Sequence, residues 1–223
     1  MALRRKDNKP QSPKPVQTLP RRKAKKMPSK YPYKKMVLPK EVEKVGNGKL
    51  TPEMLKKVKT GGQMWTWAAI AFNQMYVDAE KAGFVLKNVG DFRPFDAQLA
   101  MFKDRYSVKD EGRKPQVTRE YEGKKWYLKP GKAPSSTPGK SNHGFGLAID
   151  LGYDVKGKLT SMGGKCLDWM CENAPKYGFY LQGDDPKSPE FEAWHWQYVC
   201  GDNPPAEVKT RYEERQAAKA AGQ

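Results

Sequence analysis

The chain has two histidines, and both fall beside carboxylates in a spacing that can hold a metal ion. The first segment is Ser141-Asn142-His143-Gly144-Phe145-Gly146-Leu147-Ala148-Ile149-Asp150, and the second is Glu192-Ala193-Trp194-His195. A catalytic zinc takes about three protein ligands of N or O type and keeps one position open. A carboxylate close by can then act as general base. His143, Asp150 and His195 are the expected ligands of one Zn2+ per chain, and Glu192 is the expected base.

The elements that must position these residues follow from periodicity. Strand alternation over Gly146–Leu151 sends Leu147, Ile149 and Leu151 to one face and Ala148 with Asp150 to the other. His143 has the wrong parity for the same strand, so Gly144 and Gly146 are expected to bend the chain and bring both ligands to one ion. Trp194–Val199 reads as another strand, with Trp194, Trp196 and Tyr198 on one face and His195 with Gln197 on the other. The two tryptophans are expected to pack the core. Phe84–Phe92 reads as a strand and Pro94-Phe95-Asp96 as a helix start, with Leu99, Met101 and Phe102 apolar. Arg93 lies at that junction, facing a cleft or else plain surface.

Elsewhere, apolar residues from Gln63 to Ala82 recur at three- and four-residue steps, predicting an amphipathic helix closed by Gly83. Thr51-Pro52-Glu53 looks like the start of a short helix running to about Lys59. Thr118–Leu128 reads as a hairpin turning near Gly123, followed by a Pro/Gly/Ser loop at 130–140. Leu167–Lys176 is expected to be helical, Phe179–Leu181 a strand and Pro205–Ala221 a helix. The fold class expected is α+β: a small antiparallel sheet carrying a zinc site, flanked by helices, with a disordered basic N-terminal arm.

Charge is unevenly placed. Residues 1–60 hold 19 Lys and Arg against four acidic residues, so 15 of the 17 net positive charges lie there. Residues 1–40 have too little apolar content to offset the entropy of ordering. The division expected is an arm at 1–50, a catalytic domain at 51–203 and a helical tail at 204–223. The arm reads either as a solvated tail or as an electrostatic grip on a polyanion. No run resembles a secretory h-region. The longest apolar run, Trp67–Phe72, falls far short of the roughly 18 residues that a membrane span needs, so no span is expected. Cys166, Cys171 and Cys200 read as buried thiols, with one disulfide involving Cys200 as the alternative.

The pattern S-x-H-x-x-G-x-A-x-D followed by E-x-W-H resembles the VanY-like zinc D,D-peptidases of the D-alanyl-D-alanine carboxypeptidase class, in the LAS metallopeptidase group. Arg93-Pro94-Phe95-Asp96-Ala97-Gln98 is similar to that family's Arg-x-x-x-x-Gln segment, Tyr177-Gly178-Phe179 to the element before its last ligand, and Trp194–Val199 to its closing strand. The resemblance covers about residues 62–203. It implies zinc held by His143, Asp150 and His195, Glu192 as base, and Arg93 as electrophilic or substrate-carboxylate partner. Ser141 would lie beside the substrate, or else hydrogen-bond its own loop. Gln98 reads as mainly structural.

The implied substrates are peptide stems or cross-links of bacterial peptidoglycan, cut next to D-amino acids. The basic arm and the lack of an export signal suit a bacteriophage endolysin or virion-associated lysin, located in the virion or at the host wall after release from the host cytoplasm. Residues 1–60 would then bind anionic wall polymer, virion proteins or DNA. Two other readings stand beside this one. The first is a catalytically passive virion or polyanion-binding protein, and the second a bacterial wall-remodelling enzyme.

Overall fold

The apolar repeat after Gln63 folds as a long helix, α2 (Thr66–Lys81), with Ala68, Ala69, Ile70, Ala71, Phe72, Met75 and Ala79 all buried. Apolar positions this dense exceed one stripe, so the helix is covered on more than one side. The computed structural model describes residues 30–188 and 191–222. Before α2 come α1 (Lys40–Val45), a 3-10 turn (Pro52–Met54), β1 (Leu55–Lys57) and β2 (Gln63–Trp65). After it come β3 (Leu86–Gly90), α3 (Phe95–Arg105), β4 (Tyr106–Ser107), β5 (Thr118–Tyr121) and β6 (Lys124–Leu128). A 3-10 turn (Asn142–Phe145) leads to β7 (Ala148–Val155), β8 (Lys158–Ser161), α4 (Gly164–Asn173), a further 3-10 turn (Ala174–Tyr177), β9 (Phe179–Leu181), β10 (His195–Tyr198) and α5 (Ala206–Ala220). The class is α+β, as the sequence predicts.

The main sheet runs β3-β7-β10-β9, with β8 also paired to β7, and each pairing is antiparallel. One face packs on α2. Leu147, Ile149, Leu151, Phe179, Leu181, Trp196 and Tyr198 are buried there, and Phe72 meets Phe179 edge-on at 6.1 Å. Burying side chains of this size contributes about 1.5–3 kcal/mol each. A second, smaller core holds Phe102, Tyr106 and Leu128, flanked by Val117, Tyr121 and Trp126, between α3 and the three-stranded sheet β4-β6-β5. Phe102 stacks on Tyr106 with centroids 4.7 Å apart. The expected hairpin is β5–β6, and its turn residues Glu122 and Gly123 both have positive φ, the geometry that suits a tight two-residue turn.

Three expectations need correction. The helix expected from Thr51 to Lys59 is a single 3-10 turn followed by β1, and the Thr51 side chain makes no cap hydrogen bond. Local start signals lose to tertiary pairing, because Leu55 pairs with Trp65 across a turn made by Gly61 and Gly62, both at positive φ. Residues 30–50, assigned to the arm from composition, pack on the domain. Val42 is fully buried, Leu50 nearly so, and isolated bridges join Tyr33 to Leu181 and Val37 to Cys200. Alternating apolar positions, invisible in the average charge, supply that contact. The remainder of the expected arm, residues 1–29, lies outside the described residues. Trp194 precedes its strand rather than sharing the core face, and is 43% exposed.

The tail forms the expected helix. α5 lies against α2, where Gln74 Nε2 donates to the Val208 carbonyl at 2.9 Å and Trp67 meets Tyr212 edge-on at 5.4 Å. All three cysteines are free thiols. Among the described residues no helix is long and apolar enough to cross a membrane.

Candidate active site

Asp150 sits in the middle of β7 between two neighbours that leave room for its carboxylate. On one side it pairs with His195 of β10, and on the other with Gly90 of β3. A Cβ at Gly90 would stand 2.8 Å from Asp150 Oδ2, so a side chain there would occupy the carboxylate's space. His143 arrives from the 3-10 turn Asn142–Phe145. Gly146 ends that turn at φ +65, ψ 17, and any Cβ on it would press on Trp65 N and Leu50. That left-handed residue re-aims the chain into β7, so the parity mismatch between His143 and Asp150 disappears. Gly144 has no positive φ; its role is close approach, since a Cβ would collide with the Asn47 side chain.

The donor atoms of His143, Asp150 and His195 lie within 4.8 Å of one another. His143 Nε2 is 3.3 Å from Asp150 Oδ2, and His195 Nδ1 is 2.8 Å from Asp150 Oδ1. His143 Nδ1 lies 2.9 Å from the Asp91 carbonyl. A carbonyl only accepts, so Nδ1 carries a hydrogen and Nε2 is the nitrogen turned toward the Asp150 carboxylate. Both histidines are 5% exposed, and His195 Nε2 is buried without a hydrogen-bond partner. Burial pushes the Asp150 carboxyl up, but hydrogen bonds and charge from His143 and His195 outweigh it and hold the group well below the usual carboxylate range. Neutral imidazole and ionised carboxylate are the forms that bind a divalent cation, and the set fits zinc by donor type.

These donors form the floor of a cleft of about 470 Å³ whose lining includes Arg93, Ser141, Glu192 and Trp194. A tight turn, closed by His195 N–H donating to the Glu192 carbonyl at 3.0 Å, places Glu192 and His195 on the same cavity. Arg93 Nη1 donates to Gln98 Oε1 at 2.9 Å, and Gln98 Nε2 donates to the Ser136 carbonyl at 2.6 Å. Gln98, read from sequence as mainly structural, therefore aims Arg93 into the cleft. Burial lowers the proton affinity of Arg93, and the charge of Asp150 opposes that shift. Ser141 is buried, and its carbonyl accepts from Asn47 Nδ2 at 2.6 Å.

Sequence reasoning missed Arg105, Arg119, Lys140 and Asn142, which line the same cleft. Asn142 Nδ2 donates to Gln197 Oε1 at 2.8 Å, tying the His143 turn to β10. A signal for two of them existed. Gln98, Met101 and Arg105 share one helix face by their three- and four-residue spacing, and Arg119 shares strand parity with Tyr121, which packs on the small core.

The fold is a mixed α and β domain in which three clustered donors of a kind that can hold a cation lie in a cationic cleft. Residues 62–201 match the family model described as VanY, D-alanyl-D-alanine carboxypeptidase, and the chain belongs to that family. It is 31% identical over 139 residues to YodJ of Bacillus subtilis (strain 168), covering 59% of this chain and 45% of that protein. It is 27% identical over 135 residues to a D-alanyl-D-alanine carboxypeptidase of Enterococcus faecium, covering 57% of this chain and 35% of that one. The matches thus span less than half the length of these curated relatives. Similar solved structures include the LdcB LD-carboxypeptidase (22% identity, TM-score 0.49, 75% of this chain and 76% of that one). VanYB in complex with D-alanine-D-alanine is another (19% identity, TM-score 0.46, 72% and 82%).

Proposed function

We propose that this chain is a zinc-dependent peptidase that hydrolyses peptidoglycan stems or cross-links next to a D-amino acid. The observation that carries the reading is the convergence of His143, Asp150 and His195 on the floor of a cleft that also presents Glu192 and Arg93. Zinc held by those three residues supplies Lewis acidity toward a carbonyl oxygen and acidifies water.

The chain's own residues do the rest. Glu192 takes a proton from the attacking water and returns it to the leaving amine, a role that typically contributes about 10²–10⁴ in rate. Arg93, fixed by Gln98, faces negative charge at the carbonyl oxygen or at the substrate's terminal carboxylate. Asp91, through its carbonyl, fixes the ring orientation and tautomer of His143.

The test is mass spectrometry of peptidoglycan fragments after incubation with the zinc-loaded protein, beside Glu192→Gln. New fragments that vanish in the variant support a peptidase, and their masses identify the bond and separate carboxypeptidase from endopeptidase action. Absence of cleavage by either protein, on walls of several cross-link types, favours a passive binding module. The narrower reading, a bacteriophage lysin whose arm grips anionic wall polymer or DNA, rests on the charge of residues 1–60. Salt-sensitive binding of the full chain to purified wall or DNA supports that grip. Binding unchanged at high salt counts against it.

A further inference from the structure

We propose that the stretch of cleft wall carrying Arg105 and Arg119 is a second anion subsite, so that the substrate class is a stem peptide bearing a free carboxylate upstream of the scissile bond. This rests on the peptidase reading of the cleft. Its lining holds four cations, Arg93, Arg105, Arg119 and Lys140, against two carboxylates, Asp150 and Glu192. Asp150 is already flanked by two histidines. Among the described residues none of the four cations sits in an ion pair.

The protein partners of Arg105 and Arg119 are neutral carbonyls. Arg105 Nη1 donates to the Pro134 carbonyl at 3.2 Å. Arg119 donates through Nε to the Ser135 carbonyl at 3.3 Å and through Nη1 to its neighbour Thr118 at 3.0 Å. A guanidinium has five N–H donors in a planar fork, so each keeps donors beyond those bonds. Ser135 Oγ, between them in the lining, is buried without a hydrogen-bond partner. Like charges gathered beside a buried floor repel one another; Arg105 acts on Arg93 in that sense. A carboxylate that accepts the free fork offsets the repulsion and matches the geometry of arginine.

Arg93, beside Asp150, is placed for the group at the scissile bond. Arg105 at the end of α3 and Arg119 on β5 belong to the elements around the small core, so their carboxylate comes from a residue upstream of that bond. Two sources share that chemistry: the α-carboxylate of a γ-linked glutamate, and the second carboxylate of a diamino diacid.

The experiment uses the full chain carrying Glu192→Gln and calorimetric titration with soluble stem peptides that end in the same D-amino acids. One matched pair differs by carboxylate against carboxamide at the γ-linked glutamate, and a second pair differs likewise at the diamino acid. We expect the acid form of one pair to bind about ten- to a hundredfold tighter than its amide. Adding Arg119→Gln should collapse that preference. Adding Lys140→Gln, at an exposed rim position with no side-chain hydrogen bond to the loop, should shrink it even if Arg119→Gln disturbs folding. In zinc-loaded wild type the same factor should appear in KM rather than kcat. Equal binding of acid and amide in both pairs, or no binding of the acid forms, overturns the subsite. Acid preference without turnover keeps the subsite and removes the peptidase reading. Turnover without preference does the reverse.

Discussion

Asp78 and Asp150 are both partly buried carboxylates held below their ordinary range, yet the partners that hold them differ in kind. Asp78, on α2, accepts Tyr177 Oη at 2.5 Å, Arg211 Nη1 at 2.6 Å and Lys81 Nζ at 3.3 Å, and Arg211 pairs with Glu207 as well. Burial alone would raise Asp78; the Tyr177 and Arg211 hydrogen bonds overcome it and bring the group to about 2. Donors and acceptors are matched, and the result is a clamp joining α2, α5 and the 3-10 turn at Tyr177. Around Asp150 the inventory stays open: among the described residues Arg93, Arg105 and Arg119, which line the same cleft, have no carboxylate in an ion pair with them. Matched polar groups secure the clamp, and open ones leave the cleft able to take a ligand.

The sharpest way to break that contrast is at the cleft. Glu192→Gln should lower stem-peptide hydrolysis about 10²–10⁴-fold while zinc content stays near wild type. His195→Ala should lose both. Atomic absorption beside fragment mass spectrometry separates the two, and equal metal content in His195→Ala would contradict the donor assignment. Next in size, zinc at about a hundredfold above its dissociation constant should add about 2.7 kcal/mol to the unfolding free energy in denaturant titrations. That gain should vanish in His143→Ala.

At the clamp, Asp78→Asn should cost about 1–2 kcal/mol near neutral pH, after allowance for the partly exposed Arg211, with activity per folded molecule unchanged. The depressed group contributes fully above its unfolded value of 3.8 and loses the contribution as pH falls toward about 2. The gap between wild type and variant should therefore close over that window in urea unfolding. A persistent gap would put the cost elsewhere. The smallest expected effect concerns the thiols. Burial pushes Cys166 up to about 12 and Cys171 up to about 11, so a disulfide reagent at pH 8 should label both slowly, Cys166 slower.

The sequence made the floor of the site legible because its residues are tied to regular elements: β7 and β10 alternate cleanly, and the α2 repeat and the β5–β6 hairpin carry strong local signals. The cationic wall was harder to see. Arg105 and Arg119 come from a helix end and a hairpin brought together by the small core of Phe102 and Tyr121 and by the loop carbonyls of Pro134 and Ser135, a tertiary fact that spacing does not encode. Trp194 was misplaced because the turn from Glu192 to His195 delays the strand, and parity counted from Trp194 then starts too early. Composition likewise hid the packing of residues 30–50, where Val42 and Leu50 anchor an otherwise charged stretch.

The two cores are separate, with His143, Asp150 and His195 carried by elements of the larger and Arg105 and Arg119 by elements of the smaller. Such a division lets heritable variation act on each independently. Substitutions among Phe102, Tyr121, Trp126 and the loop at 133–136 can reshape the cleft wall without moving the donors of His143, Asp150 and His195. The floor would then be the constant part of the cleft, and the elements on the smaller core the part free to vary.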